Sequence, residues 1–202
     1  MNQKMKLFGL HGHLQNSKQF KGKIGGLLHQ FKKIGVEIIF LDSPYICEDN
    51  TEDPPLRTWA KDNSIKLAEE SIIAAKEANP DVCGFFCFSM GSMLALHLAA
   101  HAATHPDSPF SWIKLIVAVS APYPRPDSPL LDSLPCKCEI PVLFVIGKSD
   151  EIAPPDSQRQ YLPSFPNATI FEHEGGHYVP GARQYVQTYV DFFTKCKEMI
   201  EH

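Results

Sequence analysis

One stretch of sequence indicates the fold: VCGFFCFSMGSMLALHLAAHAATH, residues 82–105. Its first half, Val82–Phe88, is almost wholly apolar, which is typical of a parallel strand covered on both faces. Its second half has the composition of a helix. Between the two lies a short break, Ser89–Ser92, that contains a glycine. We therefore predict a buried strand that turns sharply into a buried helix.

The absence of charge in this stretch also has to be explained. No Asp, Glu, Lys or Arg occurs from Val82 to Pro106, as would be typical of a transmembrane helix. However, three histidines and the break at residues 89–92 interrupt the apolar run, so we predict no membrane span. The polar segment Met1–Lys6 lacks the apolar core and the cleavage site of a signal peptide, and we therefore expect a cytoplasmic protein.

Composition excludes several classes of function. The 202 residues carry a formal net charge of −4, and no segment is a dense Lys/Arg run, so we expect neither a nucleic-acid partner nor an anionic membrane. The six cysteines form no CxxC pair and are expected to be free thiols in a reducing compartment. No cofactor is predicted.

Short apolar runs alternate with helical periodicity along the rest of the chain. The predicted strands are residues 6–10, 36–41, 82–88, 113–119, 141–146 and 169–172. The predicted helices are residues 18–34, 59–77, 89–105 and 185–200. This alternation predicts one α/β domain over residues 1–202, with about six mainly parallel strands and helices on both faces. The proline-rich tract Pro122–Pro141 interrupts the alternation and is expected to form a short lid or a pocket wall.

Polar residues follow four of the predicted strands. They occur in the segments LHGHLQN (residues 10–16), CFSMGS (87–92), GKSD (147–150) and HEGGH (173–177). Because ligands bind beyond the carboxyl ends of parallel strands, these segments are expected to meet. The first segment supplies a candidate oxyanion loop. The other three supply a candidate nucleophile (Ser89), acid (Asp150) and base (His177), in the chain order that α/β-hydrolases use.

Each of these residues also has a structural interpretation. Ser89 suits a helix N-cap, and the two roles are compatible, since the dipole of the following helix favours a developing negative charge. Asp150 is also typical of an Asx-turn. His173 competes with His177 but lies nearer its strand. A metal site that uses both histidines is not favoured, because the two glycines between them break the helix that such spacing needs.

The chain resembles the FSH family of serine hydrolases. The resemblance is carried in order by residues 10–16, LDSP (41–44), FSMG (88–91), GKSD (147–150) and EHEGGHYVP (172–180), and it spans nearly the whole chain. The chain departs from the family pattern at Cys87, where the family usually has glycine. The resemblance implies an α/β-hydrolase fold with little or no cap domain and a small-molecule ester or thioester substrate. A carboxylesterase for short to medium acyl chains is preferred, with an acyl thioesterase as the alternative.

Further roles follow from the resemblance and from position. The backbone N–H groups of Met90 and His13 are predicted to form the oxyanion hole, with Leu14 as an alternative to His13. The predicted substrate-binding residues are Gln15, Pro44, Tyr45 and Trp59. His11 is expected to bridge loops. A non-catalytic binding module of the same fold stays open, because fold does not determine function. The oligomeric state is not predicted.

Overall fold

The computed structural model describes residues 4–48 and 51–201. The strands are β1 (Met5–Leu10), β2 (Val36–Leu41), β3 (Tyr45–Ile46), β4 (Arg57–Thr58), β5 (Val82–Phe88), β6 (Leu115–Val119), β7 (Val142–Gly147) and β8 (Ala168–His173). The helices are α1 (Ser17–Lys23), α2 (Gly25–Lys33), α3 (Lys66–Ala78), α4 (Met90–Thr104), α5 (Pro155–Arg159) and α6 (Arg183–Glu201). Every predicted strand is present, within two residues at each end.

Six strands form one parallel sheet in the order β2-β1-β5-β6-β7-β8. Because the chain moves outward from β1 to β2 and then returns to β5 on the other side, the order reverses between β1 and β5. The carboxyl ends flanking such a reversal leave a crevice in which ligands bind. Leu10 is the register partner of Cys87, so the loop after β1 emerges beside Ser89.

The sheet has an apolar core on each face. One contains Phe85, Ile72 and Leu94 and lies under α3 and α4. The other contains Phe20, Phe31 and Phe193 and lies under α1, α2 and α6. The predicted α/β architecture with helices on both faces is confirmed. No separate cap domain covers the sheet in the part of the chain that the structure describes.

Two predicted helices differ from those observed. The helix predicted at residues 18–34 is broken at Ile24, whose N–H bonds back to the carbonyls of Phe20 and Gly22, and the glycines at 25 and 26 offer little helix propensity to bridge the break. The helix predicted from Trp59 begins only at Lys66. Residues 57–58 instead pair with residues 45–46 in a two-stranded sheet that the apolar pattern did not indicate.

The tract Pro122–Pro141 is irregular, as predicted, apart from a 3₁₀ turn at Pro129–Leu131. Leu130 is buried at the centre of this turn, and the His97 ring bonds to its carbonyl. The tract is therefore anchored to α4. None of the described helices combines the length and the apolar character needed to traverse a bilayer. All six cysteines are free thiols.

Candidate active site

Ser89 occupies a strained turn between β5 and α4. Its backbone has φ 53° and ψ −120°, a combination that non-glycine residues rarely adopt and that is held here by surrounding structure. Its N–H donates to the carbonyl of Val119 at 2.9 Å, and its own carbonyl accepts from Ser92 at 2.9 Å. Ser89 thus stands at the N-cap position, but its hydroxyl makes no capping bond. The hydroxyl is left available for another partner.

The turn requires a glycine at position 91 for space. A Cβ there would lie 2.5 Å from the carbonyl oxygen of Leu10 and 2.7 Å from that of His11. Both atoms belong to the backbone and cannot rotate away. Cys87, by contrast, points into the core, where it is fully buried. Because this side chain lies in the core, a cysteine at this position does not disturb the turn. Burial raises the pKa of its thiol well above its ordinary value, so the thiol stays protonated.

We expect Gly91→Ala to lower the free energy of unfolding by about 1–3 kcal/mol, because the added methyl group forces the end of β1 away from α4. Activity is expected to fall as well, since the same movement displaces Ser89. Gly22→Ala is the matched control: a Cβ at Gly22 meets nothing within 4 Å, and alanine favours a helix. Urea denaturation of both variants checks this, and a Gly91→Ala protein as stable as Gly22→Ala would contradict it.

Backbone contacts between the loops after β7 and β8 bring Asp150 and His177 together. Lys148 N–H donates to the carbonyl of His173 at 2.8 Å, and Ser149 N–H donates to that of Gly175 at 3.0 Å. A Cβ on Gly147 would lie within 2.6 Å of the carbonyls of both Gly175 and Gly176. The glycines therefore allow two loops to lie in direct contact.

The three predicted site residues form one hydrogen-bonded chain. His177 Nε2 lies 2.8 Å from Ser89 Oγ, and His177 Nδ1 lies 2.9 Å from Asp150 Oδ2. With the ring proton on Nδ1, the imidazole donates to the carboxylate and accepts from the hydroxyl. Asp150 also accepts the N–H groups of Ile152 at 3.0 Å and Ala153 at 2.8 Å. This is the geometry that an activated serine nucleophile needs.

His173 takes no part in that chain. It is 1% exposed, and its Nδ1 accepts the N–H of Gly175. Burial lowers the pKa of His173 below 6.5, which favours a neutral ring. Its role in the described structure is to shape the loop that carries His177. Nor does the described part of the chain contain a cluster of three or more His, Cys, Asp or Glu side chains suited to a metal ion.

The loop after β1 lies directly against the nucleophile. A Cβ on Gly12 would be 3.2 Å from Ser89 Cβ. His13 Nδ1 lies 3.0 Å from Thr58 Oγ1, and the Thr58 hydroxyl donates to Met90 Sδ at 3.1 Å. Met90 is the first residue of α4, where helix geometry leaves N–H groups without an intrahelical acceptor. The contribution of Thr58 was missed, because nothing local to its sequence signals a contact with Met90.

His11 links this loop to its neighbours. The ring is fully buried: Nδ1 bonds to the Gly12 carbonyl at 2.8 Å, and Nε2 accepts the N–H of Ser43 at 3.2 Å. Burial lowers the pKa of His11, and both contacts suit a neutral ring. Trp59 lies on this ring with a centroid distance of 5.0 Å.

The four predicted substrate-binding residues have different environments. Gln15 lines a cavity of about 390 Å³ that is also lined by His177. Pro44 is half-buried beside β3. Trp59 has no exposed surface, and its indole N–H donates to the His11 carbonyl at 2.8 Å. Tyr45 is 9% exposed, and its hydroxyl accepts the N–H of Leu67. Both side chains pack in the interior and support the loops, and a substrate contact for Tyr45 or Trp59 stays a prediction.

A second cavity, of about 400 Å³, lies beside Met90, and His177 does not line it. Its apolar wall is formed by Ile65, Met90, Met93, Tyr123 and Leu130. Part of the tract Pro122–Pro141 therefore forms a pocket wall, one of the two roles expected for it. Ile65 and Met93 were not predicted as site residues, because an apolar side chain in a helical pattern is not distinguishable from a core residue.

Comparisons with known proteins agree with this architecture. A family described as "Serine hydrolase (FSH1)" matches residues 1–189. Esterase OVCA2 of Danio rerio is 30% identical over 229 residues, which cover 95% of this chain and 97% of that protein. Esterase AAEL000016 of Aedes aegypti is 28% identical, covering 94% of this chain and 75% of that protein.

Solved structures show the same fold at lower identity. The crystal structure of Arabidopsis thaliana SOBER1 superposes with a TM-score of 0.69 at 14% identity and covers 96% of this chain and 99% of that one. The crystal structure of esterase PE8 gives a TM-score of 0.66 at 20% identity, covering 96% and 93% of the two chains. These likenesses identify the α/β-hydrolase fold.

Proposed function

The chain belongs to the FSH1 family of serine hydrolases, and from this premise we propose that it hydrolyses short- to medium-chain carboxylic esters with Ser89, His177 and Asp150 as catalytic triad. The observation that carries the proposal is the unbroken chain of contacts, 2.8 Å from Ser89 to His177 and 2.9 Å from His177 to Asp150. A serine hydroxyl is a weak nucleophile until a base within hydrogen-bonding reach removes its proton.

The reaction proceeds in two steps. Ser89 Oγ attacks the ester carbonyl while His177 Nε2 takes the hydroxyl proton, and a tetrahedral oxyanion forms. His177 then returns that proton to the departing alcohol, leaving an acyl group on Ser89. Water, deprotonated by His177, attacks the acyl-enzyme and releases the acid. Asp150 holds the ring in the required tautomer and stabilises the imidazolium that forms in each step.

The oxyanion hole is assigned to the N–H groups of Met90 and His13, with Leu14 as the alternative to His13. The position of Met90 at the start of the 15-residue helix α4 supports the first assignment, because the helix dipole also favours negative charge there. The contact between Gly12 and Ser89 supports a donor from the loop after β1. One such donor is worth about 2.7–4 kcal/mol of barrier.

The apolar cavity beside Met90 is assigned to the acyl chain. Its volume of about 400 Å³ lies at the lower end of the range of small-molecule sites, which favours short to medium chains. The thioesterase alternative uses the same triad and the same hole. The single domain over residues 1–202, the cytoplasmic location and the small-molecule substrate belong to the same proposal.

Active-site labelling tests the proposal. We expect the protein to hydrolyse p-nitrophenyl acetate and butyrate, and a fluorophosphonate to abolish this activity at one label per chain. Mass spectrometry is expected to find the label on Ser89. A protein that turns over no ester or thioester, and whose Ser89 stays unlabelled, would instead be the binding module of the same fold.

A further inference from the structure

A groove extends from His177 along the α1–α2 side of the sheet. It starts with the cavity that Gln15, Lys23 and His177 line, of about 390 Å³. A second cavity, of about 550 Å³, is lined by Gly26 and Lys33 of α2 together with Gly181 and Arg183. The two cavities have no lining residue in common, but they follow one another along the same two segments: Lys23 and Val179 line the first, and Gly26 and Gly181 line the second.

The charged side chains that line the groove are all cationic. They are Lys23, Lys33 and Arg183. In the described part of the chain no carboxylate pairs with any of them, and Lys33 bonds only to the neutral amide of Gln30. The cations at the acyl cavity differ, because Lys61 pairs with Glu48 and Arg125 with Asp127. Unpaired cations in one groove of a chain with net charge −4 indicate an anionic ligand there.

The position of the groove shows which part of the substrate it contacts. His177 has to pass its proton to the leaving group, so that group must lie on the His177 side of the scissile bond. The groove begins at His177, whereas the apolar cavity begins at Met90. Lys23 therefore faces the leaving group, and Lys33 lies farther along α2, about 10 Å from Gly26 at the rise of an α-helix.

We infer that the preferred substrate is an ester or thioester whose leaving group carries phosphate, bound by Lys23 near the scissile bond and by Lys33 and Arg183 farther along the groove. This inference rests on the proposed function and specifies its leaving group. Two kinds of leaving group have this chemistry: a phosphorylated alcohol, and a thiol that carries phosphates at a distance from its sulfur, as coenzyme A does. The second reaches farther from the reacting carbonyl and engages the outer cations.

Matched pairs of substrates test the inference. Butyryl-CoA and butyryl-N-acetylcysteamine share the acyl group and the thioester bond but differ in charge, as do butyryl glycerol 3-phosphate and glyceryl monobutyrate. The readout is the ratio of kcat/KM for the charged substrate to that for its neutral partner. Damage to the fold or to the triad lowers both values and leaves the ratio unchanged.

We expect the wild-type ratio to exceed one and Lys23→Gln to lower it by about three- to fivefold, as is typical of an exposed charge contact. The double variant Lys33→Gln/Arg183→Gln is expected to lower the ratio for the CoA pair by a similar factor. Lys21→Gln is the matched control: it removes the same charge from the same helix, but Lys21 does not line the groove.

The outcomes separate the inference from the function on which it rests. Ratios that neither Lys23→Gln nor Lys33→Gln/Arg183→Gln lowers, or that Lys21→Gln lowers equally, overturn the inference even when neutral esters are hydrolysed. A response confined to one substrate pair supports the inference and identifies the alcohol or the thiol as the leaving group. If none of the four substrates is hydrolysed and fluorophosphonate does not label Ser89, the proposed function is overturned as well.

Discussion

Replacing Ser89 with alanine is expected to lower kcat for p-nitrophenyl butyrate by a factor of about 10⁵–10⁶ and to abolish labelling by a fluorophosphonate. The variant retains His177 and the oxyanion hole but has no oxygen to attack the carbonyl, so no acyl-enzyme forms. The fold should be little affected, because the Ser89 hydroxyl makes no helix-capping bond and contacts only His177. We expect the free energy of unfolding to change by about 1 kcal/mol or less.

Ser92→Ala provides the control for this variant. Ser92 is a buried serine in the first turn of the same helix, and its hydroxyl donates to the Val119 carbonyl at 3.0 Å without contacting His177. Its loss is expected to cost about 1 kcal/mol of stability while hydrolysis and labelling persist. Steady-state kinetics and thermal denaturation of both variants provide the measurement. Undiminished labelling of the Ser89→Ala protein would disprove the assignment of the nucleophile.

Asp150→Asn is expected to lower kcat by about 10⁴ while preserving the fold. The asparagine oxygen can still accept the N–H groups of Ile152 and Ala153, which Asp150 Oδ1 accepts at 3.0 and 2.8 Å. Its NH₂ group, however, donates towards His177 Nδ1. The ring must then carry its proton on Nε2, which points a donor at the Ser89 hydroxyl and prevents His177 from acting as a base.

The matched control is Asp156→Asn. Asp156 is exposed, pairs with Arg159 on the surface and lies six residues after Asp150. The same loss of charge there is expected to leave kcat unchanged, because an exposed pair contributes little and does not contact the active site. The measurement is kcat of the Asp150→Asn and Asp156→Asn variants with p-nitrophenyl butyrate. An Asp150→Asn rate within tenfold of wild type would show that another group orients His177.

Local sequence was sufficient where periodicity and position carry the information. The strand Val82–Phe88 was predicted at its observed bounds, because a strand buried on both faces must be apolar at every position. Ser89, Asp150 and His177 were chosen because each follows a strand, and parallel strands bring their carboxyl ends to one edge. The preference for His177 over His173 followed from the two glycines that precede His177 and from the position of His173 nearer its strand.

Prediction from local sequence failed where distant residues decide the conformation. Trp59 was placed at the start of a helix and in the substrate site, but its indole N–H bonds to a carbonyl 48 residues away, and the helix begins at Lys66. Lys23 was not singled out, because only the approach of residues 177–187 to α1 and α2 turns an exposed lysine into part of a groove.

The sequence by itself determined the six-stranded α/β fold, the order of the strands along the chain and the three residues proposed for the reaction. These depend on hydrophobic patterns and on turns within about ten residues. Only the tertiary structure decided which side chains surround Ser89, that Tyr45 and Trp59 support loops, and that unpaired cations line one groove. Those features depend on contacts between distant segments, such as the 48 residues that separate His11 from Trp59 and the 88 that separate Ser89 from His177, and no local pattern encodes such contacts.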